Sequence, residues 1–140
     1  MNSCGPKTIF EQKEIVPNPW KYGDKISFTY EIQDTSKAYD LVLEMSHKSI
    51  FSFENIYLDV TTIFPEGEVI TNPVSFQLSS SQSEWIGDCS GENCDISIEM
   101  SSKAYYKKAG KYQLIFEQYS RKESLEGINS LVVKIQENEE

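Results

Sequence analysis

Apolar residues recur at every second position in short blocks along this chain. Ile26, Phe28, Tyr30 and Ile32 alternate with Ser27, Thr29 and Glu31, which puts the apolar set on one face of a strand. The same period marks residues 39–45, 56–60, 74–78, 96–100, 112–116 and 131–135. Fainter strands are expected at residues 8–15 and around Trp85-Ile86. Turn chemistry separates the blocks: Tyr22-Gly23-Asp24, Asn72-Pro73, Ala109-Gly110, and Phe64-Pro65-Glu66-Gly67, where Pro65 presets φ for the second turn position.

No segment keeps an apolar 3.6 period over three turns. Residues 101–108 and 120–126 could each form a turn or two of helix, the second stopped by Gly127. Many short strands without crossover helices predict an all-β fold, an antiparallel β-sandwich or jelly roll of about eight strands. Residues 8–136 read as a single domain, with residues 1–7 a flexible leader and residues 137–140 an acidic tail.

Charge narrows the partners. With 13 basic side chains against 22 acidic, the net charge is −9, so the field repels a nucleic-acid backbone and, on average, an anionic membrane. His47 is the sole histidine, which excludes a multi-histidine metal site. Its neighbours Ser46 and Lys48 make it read as the exposed, polar end of a strand. The chain has no glycine-rich phosphate loop and no nucleophile elbow, so catalytic residues and cofactors are expected to be none. A pair of inward-facing carboxylates doing glycosidase work is the enzymatic alternative.

Cysteines and aromatics supply the remaining candidates. Cys89 and Cys94 enclose four residues and are expected to form a disulfide, which implies an oxidising compartment. The acidic oxygens of Asp88, Glu92 and Asp95 in that loop suggest a calcium site, although a stapled hairpin tip is the favoured reading because the ligand spacing of a calcium loop is missing. Trp20, after Pro17-Asn18-Pro19, and Trp85, with Tyr105 and Tyr106, could be exposed platforms for a protein or a sugar ring. The competing reading makes the two indoles caps on the core.

Ile15-Val16-Pro17-Asn18-Pro19-Trp20, Asp24-Lys25-Ile26-Ser27-Phe28 and residues 34–41 occur in an order that resembles the gliding-motility lipoprotein GldH family of Bacteroidetes. The strand entry at Asn55, the Phe64-Pro65-Glu66-Gly67 turn, Gln118-Tyr119-Ser120-Arg121 and the closing Ala109-Gly110-Lys111-Tyr112 and Leu125-Glu126-Gly127-Ile128 signatures match as well. Members of that family have a signal peptide and a lipidated cysteine, and Cys4 matches the latter; here only Met1-Asn2-Ser3 precede it, so the expectation is a signal replaced by a start Met. The resemblance implies a non-enzymatic cell-envelope lipoprotein of the outer membrane. It would bind other envelope proteins of the gliding and type IX secretion-associated machinery and meet the membrane through its N-terminal lipid only. A carbohydrate-binding module, with glycan as ligand, is the alternative.

Overall fold

The computed structural model describes residues 7–139 apart from 52, 81 and 83. Cys4 lies outside the described residues. The chain folds into strands β1 (Thr8–Ile15), β2 (Trp20–Lys21), β3 (Ile26–Ile32), β4 (Ala38–Lys48), β5 (Asn55–Ile63), β6 (Val69–Gln77), β7 (Asp88–Ser90), β8 (Asn93–Tyr105), β9 (Gly110–Gln118), β10 (Ser124–Leu125) and β11 (Ile128–Glu137). One sheet has the order β1-β11-β4-β8-β7, the other β3-β9-β5-β6, and β2 pairs with β10. All pairings are antiparallel. Without the three shortest strands, consecutive long strands mostly alternate between the two sheets, the jelly-roll pattern.

Period-two alternation builds the core. Ile26, Phe28, Tyr30 and Ile32 point inward from β3, facing Phe116, Leu114, Tyr112 and Gly110 of β9 in register. They meet Leu43 and Met45 of β4 and Leu131, Val133 and Ile135 of β11 across the sandwich. Each fully buried Leu, Ile or Phe contributes roughly 1.5–3 kcal/mol relative to exposure.

Three sequence expectations are corrected. Among the described residues there is no helix: residues 101–105 complete β8, and residues 120–126 form a loop closed by β10. Asn72-Pro73 is no turn, because β6 runs straight through it, with Pro73 opposite Asp59. Pro73 is tolerated because β6 is an edge strand, whose outer ladder needs no N–H donor, and a proline there also blocks further pairing. The strand around Trp85 is only an isolated bridge between Ser79 and Trp85.

Candidate interaction surfaces at the two ends

Register fixes which loops share an end. Ile32 pairs with Gly110, Ile63 with Gln113 and Val69, Ala38 with Tyr105, and Thr8 with Gln136, so the start of β1 and the loops β3–β4, β5–β6 and β8–β9 all gather at one end. Six rings pack there. Tyr30 stacks on Tyr112 at 5.7 Å between centroids, Tyr106 meets Tyr112 edge-on at 4.9 Å, and Phe10, Tyr39 and Phe64 complete the set. Their hydroxyls are paired: Tyr112 donates to the Lys108 carbonyl at 2.6 Å, Tyr39 to the Asp34 carbonyl at 3.1 Å, and Tyr30 and Tyr106 meet at 3.4 Å. Burial raises the pKa of Tyr30, Tyr39, Tyr106 and Tyr112 above the usual phenol value.

Tyr105 and Tyr106, adjacent in sequence, part company. Tyr106 turns inward as a plug between the sheets, so it is no exposed platform, while Tyr105 is 62% exposed. Tyr105 walls a groove of about 460 Å³ with Phe64, Pro65, Ile70 and the Lys107-Lys108 pair. Pro65, on its wall, packs against Gly110 at φ 138°, where a Cβ would lie 2.9 Å from the Cβ of Pro65.

The opposite end is closed by tryptophans. Trp20 is fully buried, donating its indole N–H to the Asp24 carbonyl at 2.8 Å; it directly follows the cis Asn18-Pro19 bond. Gln118 ties that turn to the β9–β10 loop: its amide donates to the carbonyls of Trp20 and Lys122 and its oxygen accepts from Ser120 N–H. Trp85 is half-buried and bonds the Ser49 carbonyl at 3.0 Å. Neither indole presents an open face like that of Tyr105, since each is held by a backbone carbonyl and packed on the core.

His47 reverses its expected place. It is 0% exposed, because β4 continues past Met45 and the alternation of Leu43 and Met45 carries His47 inward. Its ring lies 4.6 Å from Trp85 and 5.9 Å from Phe51. Nδ1 donates to the Lys48 carbonyl at 2.8 Å, leaving Nε2 buried without a partner among the described residues. The phase of the strand was the signal that locates it, and reading the polar flanks Ser46 and Lys48 first obscures it.

Cys89 and Cys94 are cross-strand partners in the β7–β8 hairpin and form a disulfide. Gly91, at φ 62°, takes the first central position of the two-residue turn, as a type II′ turn requires. Asp88 faces Asp95 across the hairpin and Glu92 sits at its tip. Among the described residues no cluster of three or more His, Cys, Asp or Glu is placed to hold a metal, so the calcium candidates are not assembled into a site.

Residues 8–135 match the family model of the GldH lipoprotein. The chain belongs to the GldH lipoprotein family. A GldH homologue of Christiangramia forsetii is 23% identical over 145 residues, covering 99% of this chain and 89% of that protein. The gliding motility lipoprotein GldH of Flavobacterium johnsoniae is 25% identical over 148 residues, covering 98% and 89%. Among solved structures, an isomaltodextranase of Arthrobacter globiformis complexed with panose aligns at TM-score 0.43 and 10% identity, covering 91% of this chain and 24% of that one. Membership puts the chain among cell-envelope lipoproteins, with the all-β sandwich as the family's scaffold in this case.

Proposed function

We propose that this protein is anchored in the outer membrane through a diacylglyceryl group on Cys4 and acts without catalysis, binding other proteins of the gliding and type IX secretion-associated envelope machinery. The family match carries this reading, since it spans the whole sandwich and begins four residues after Cys4. Two acyl chains on one cysteine suffice for stable anchoring. The sandwich supports a binding role by displaying apolar side chains on loops held by rigid strands. At the tryptophan end Ile50 is 85% exposed at the tip of the β4–β5 loop, beside a groove of about 400 Å³ shared with Asn18, Phe51 and Gly127. Ile86 and Tyr22 are exposed on neighbouring loops.

The test is cross-linking in cells that carry the lipidated protein, followed by solubilisation and mass spectrometry. Stoichiometric recovery of envelope or secretion proteins, lost in an Ile50→Asp variant that still folds, is the expected result. Recovery of bulk outer-membrane proteins alone overturns it and favours the glycan alternative. Metabolic labelling with a fatty acid checks the anchor separately, and must disappear in Cys4→Ser.

A further inference from the structure

We infer that the tyrosine end of the sandwich lies against the phospholipid surface, with the β8–β9 loop touching the headgroup layer in addition to the lipid itself; this rests on the anchoring of Cys4 proposed above. The first argument is reach. Thr8 enters β1 at the tyrosine end, paired with Gln136, and Lys7 is held there by Glu137 N–H donating to its carbonyl at 2.8 Å. The step from Cys4 to Thr8 spans at most ~14 Å of extended chain. An anchored cysteine therefore brings this end, and no other, to the bilayer.

Charge points the same way. Residues 103–111 carry Lys103, Lys107, Lys108 and Lys111 with no carboxylate among them, in a chain of net charge −9. Acids do occur at this end. Glu66 is neutralised by Lys108 at 2.6 Å and Glu137 by Lys37 at 3.2 Å; with Glu31, Asp34, Asp40, Glu68 and Glu139 set against Lys7, Lys103, Lys107 and Lys111, the described residues of this end hold seven acids to six lysines, a balance of about −1. The excess negative charge therefore sits on the rest of the molecule. An anionic surface repels that remainder and turns the near-neutral, lysine-bearing end inward.

Side-chain type completes the argument. Tyr105 is 62% exposed and shares its groove with Ile70 at the start of β6, itself exposed, as is the preceding Val69. An amphipathic ring beside lysines suits the boundary between headgroups and acyl chains. The contact leaves Ile50 on the far end, about nine β9 residues or roughly 30 Å away, free for a protein partner.

The experiment tethers the purified chain by its Cys4 thiol to maleimide lipid in vesicles of phosphatidylcholine and phosphatidylglycerol whose acyl chains carry bromine. Chemical coupling makes the result independent of whether cells lipidate Cys4. A Tyr105→Trp variant should lose up to about a third of its total emission on brominated compared with plain vesicles, the share of one indole in three, whereas an Ile50→Trp variant and the parent chain, with Trp20 and Trp85 at the far end, should not. Adding Lys107→Glu and Lys111→Glu to Tyr105→Trp should remove most of the quenching. Equal quenching at both ends, or none at either, overturns the proposal; none at either end together with protein cross-links to position 105 in cells would assign the surface to a protein partner instead. Retained thermal unfolding of each variant, by circular dichroism, excludes misfolding as the cause.

Discussion

At the tyrosine end each buried hydroxyl described above meets an oxygen, whereas at the tryptophan end Nε2 of His47 and Oγ of Ser120 have no hydrogen-bond partner among the described residues. For His47 the contrast follows from side-chain freedom. A phenol hydroxyl rotates about its C–O bond and sits at the tip of a long ring, so it reaches the carbonyls of the loops that cover it. An imidazole has two nitrogens fixed on opposite sides of its ring, and once Nδ1 is committed to Lys48, Nε2 points wherever the ring dictates. Phenol hydroxyls tie down the loops of one end, Gln118 and the two indole N–H groups those of the other, and His47 Nε2 is carried by the aromatic packing around it.

Substitutions can break that contrast. Trp20→Ala should have the largest effect, about 3–5 kcal/mol, since it empties the fully buried plug of its end. Urea unfolding would read it as a shift in midpoint. Gly110→Ala at the other end should cost about 2–3 kcal/mol, because its φ of 138° and the approach of Pro65 both oppose a Cβ. Little change in that variant would show that the groove wall yields freely. Reduction of Cys89–Cys94 should lower stability by about 2 kcal/mol, given the short loop it closes, with β7 and the hairpin tip exchanging amide hydrogens first.

High pH probes the buried tyrosines, whose phenolate absorbance separates them from the lysines that titrate in the same range. The raised pKa values of Tyr30, Tyr39, Tyr106 and Tyr112 mean that the folded chain keeps protons that the unfolded chain gives up above about pH 10. Stability from these groups is complete below that pH and is lost as pH rises toward the folded values. Phenolate absorbance should therefore rise in part only with unfolding, and Tyr30→Phe should shrink that part. The smallest effect is expected at His47→Leu, within about 1 kcal/mol of the parent, because it removes an unpaired buried nitrogen while the Lys48 carbonyl keeps Phe51 N–H as a donor. A loss of several kcal/mol there would show that Nε2 has a partner after all.

Most of the sheet was legible because burial on one face imposes a period of two, and Ile26 to Ile32 or Tyr112 to Phe116 show it without interruption. What escaped depends on neighbours distant in sequence. Pro73 looks like a turn until β6 is known to be an edge, and Tyr106 looks as exposed as Tyr105 until the rings of Tyr30, Tyr39 and Tyr112 are placed around it. Trp20 and Trp85 were correctly ambiguous, because the carbonyls of Asp24 and Ser49 that accept from them lie outside any strand pattern. For His47 the information was local, carried by its phase with Leu43 and Met45.

Pairing of β1 with β11 joins the first described strand to the last, with Thr8 opposite Gln136. Among the described residues β1 pairs with β11 alone, so until β11 has been made the growing chain carries an unpaired leading edge. Maturation is thus tied to the arrival of β11: a nascent or truncated chain that stops before Ile128 lacks the strand that β1 and β4 both flank, and quality control in the envelope would meet an open sheet instead of a finished one.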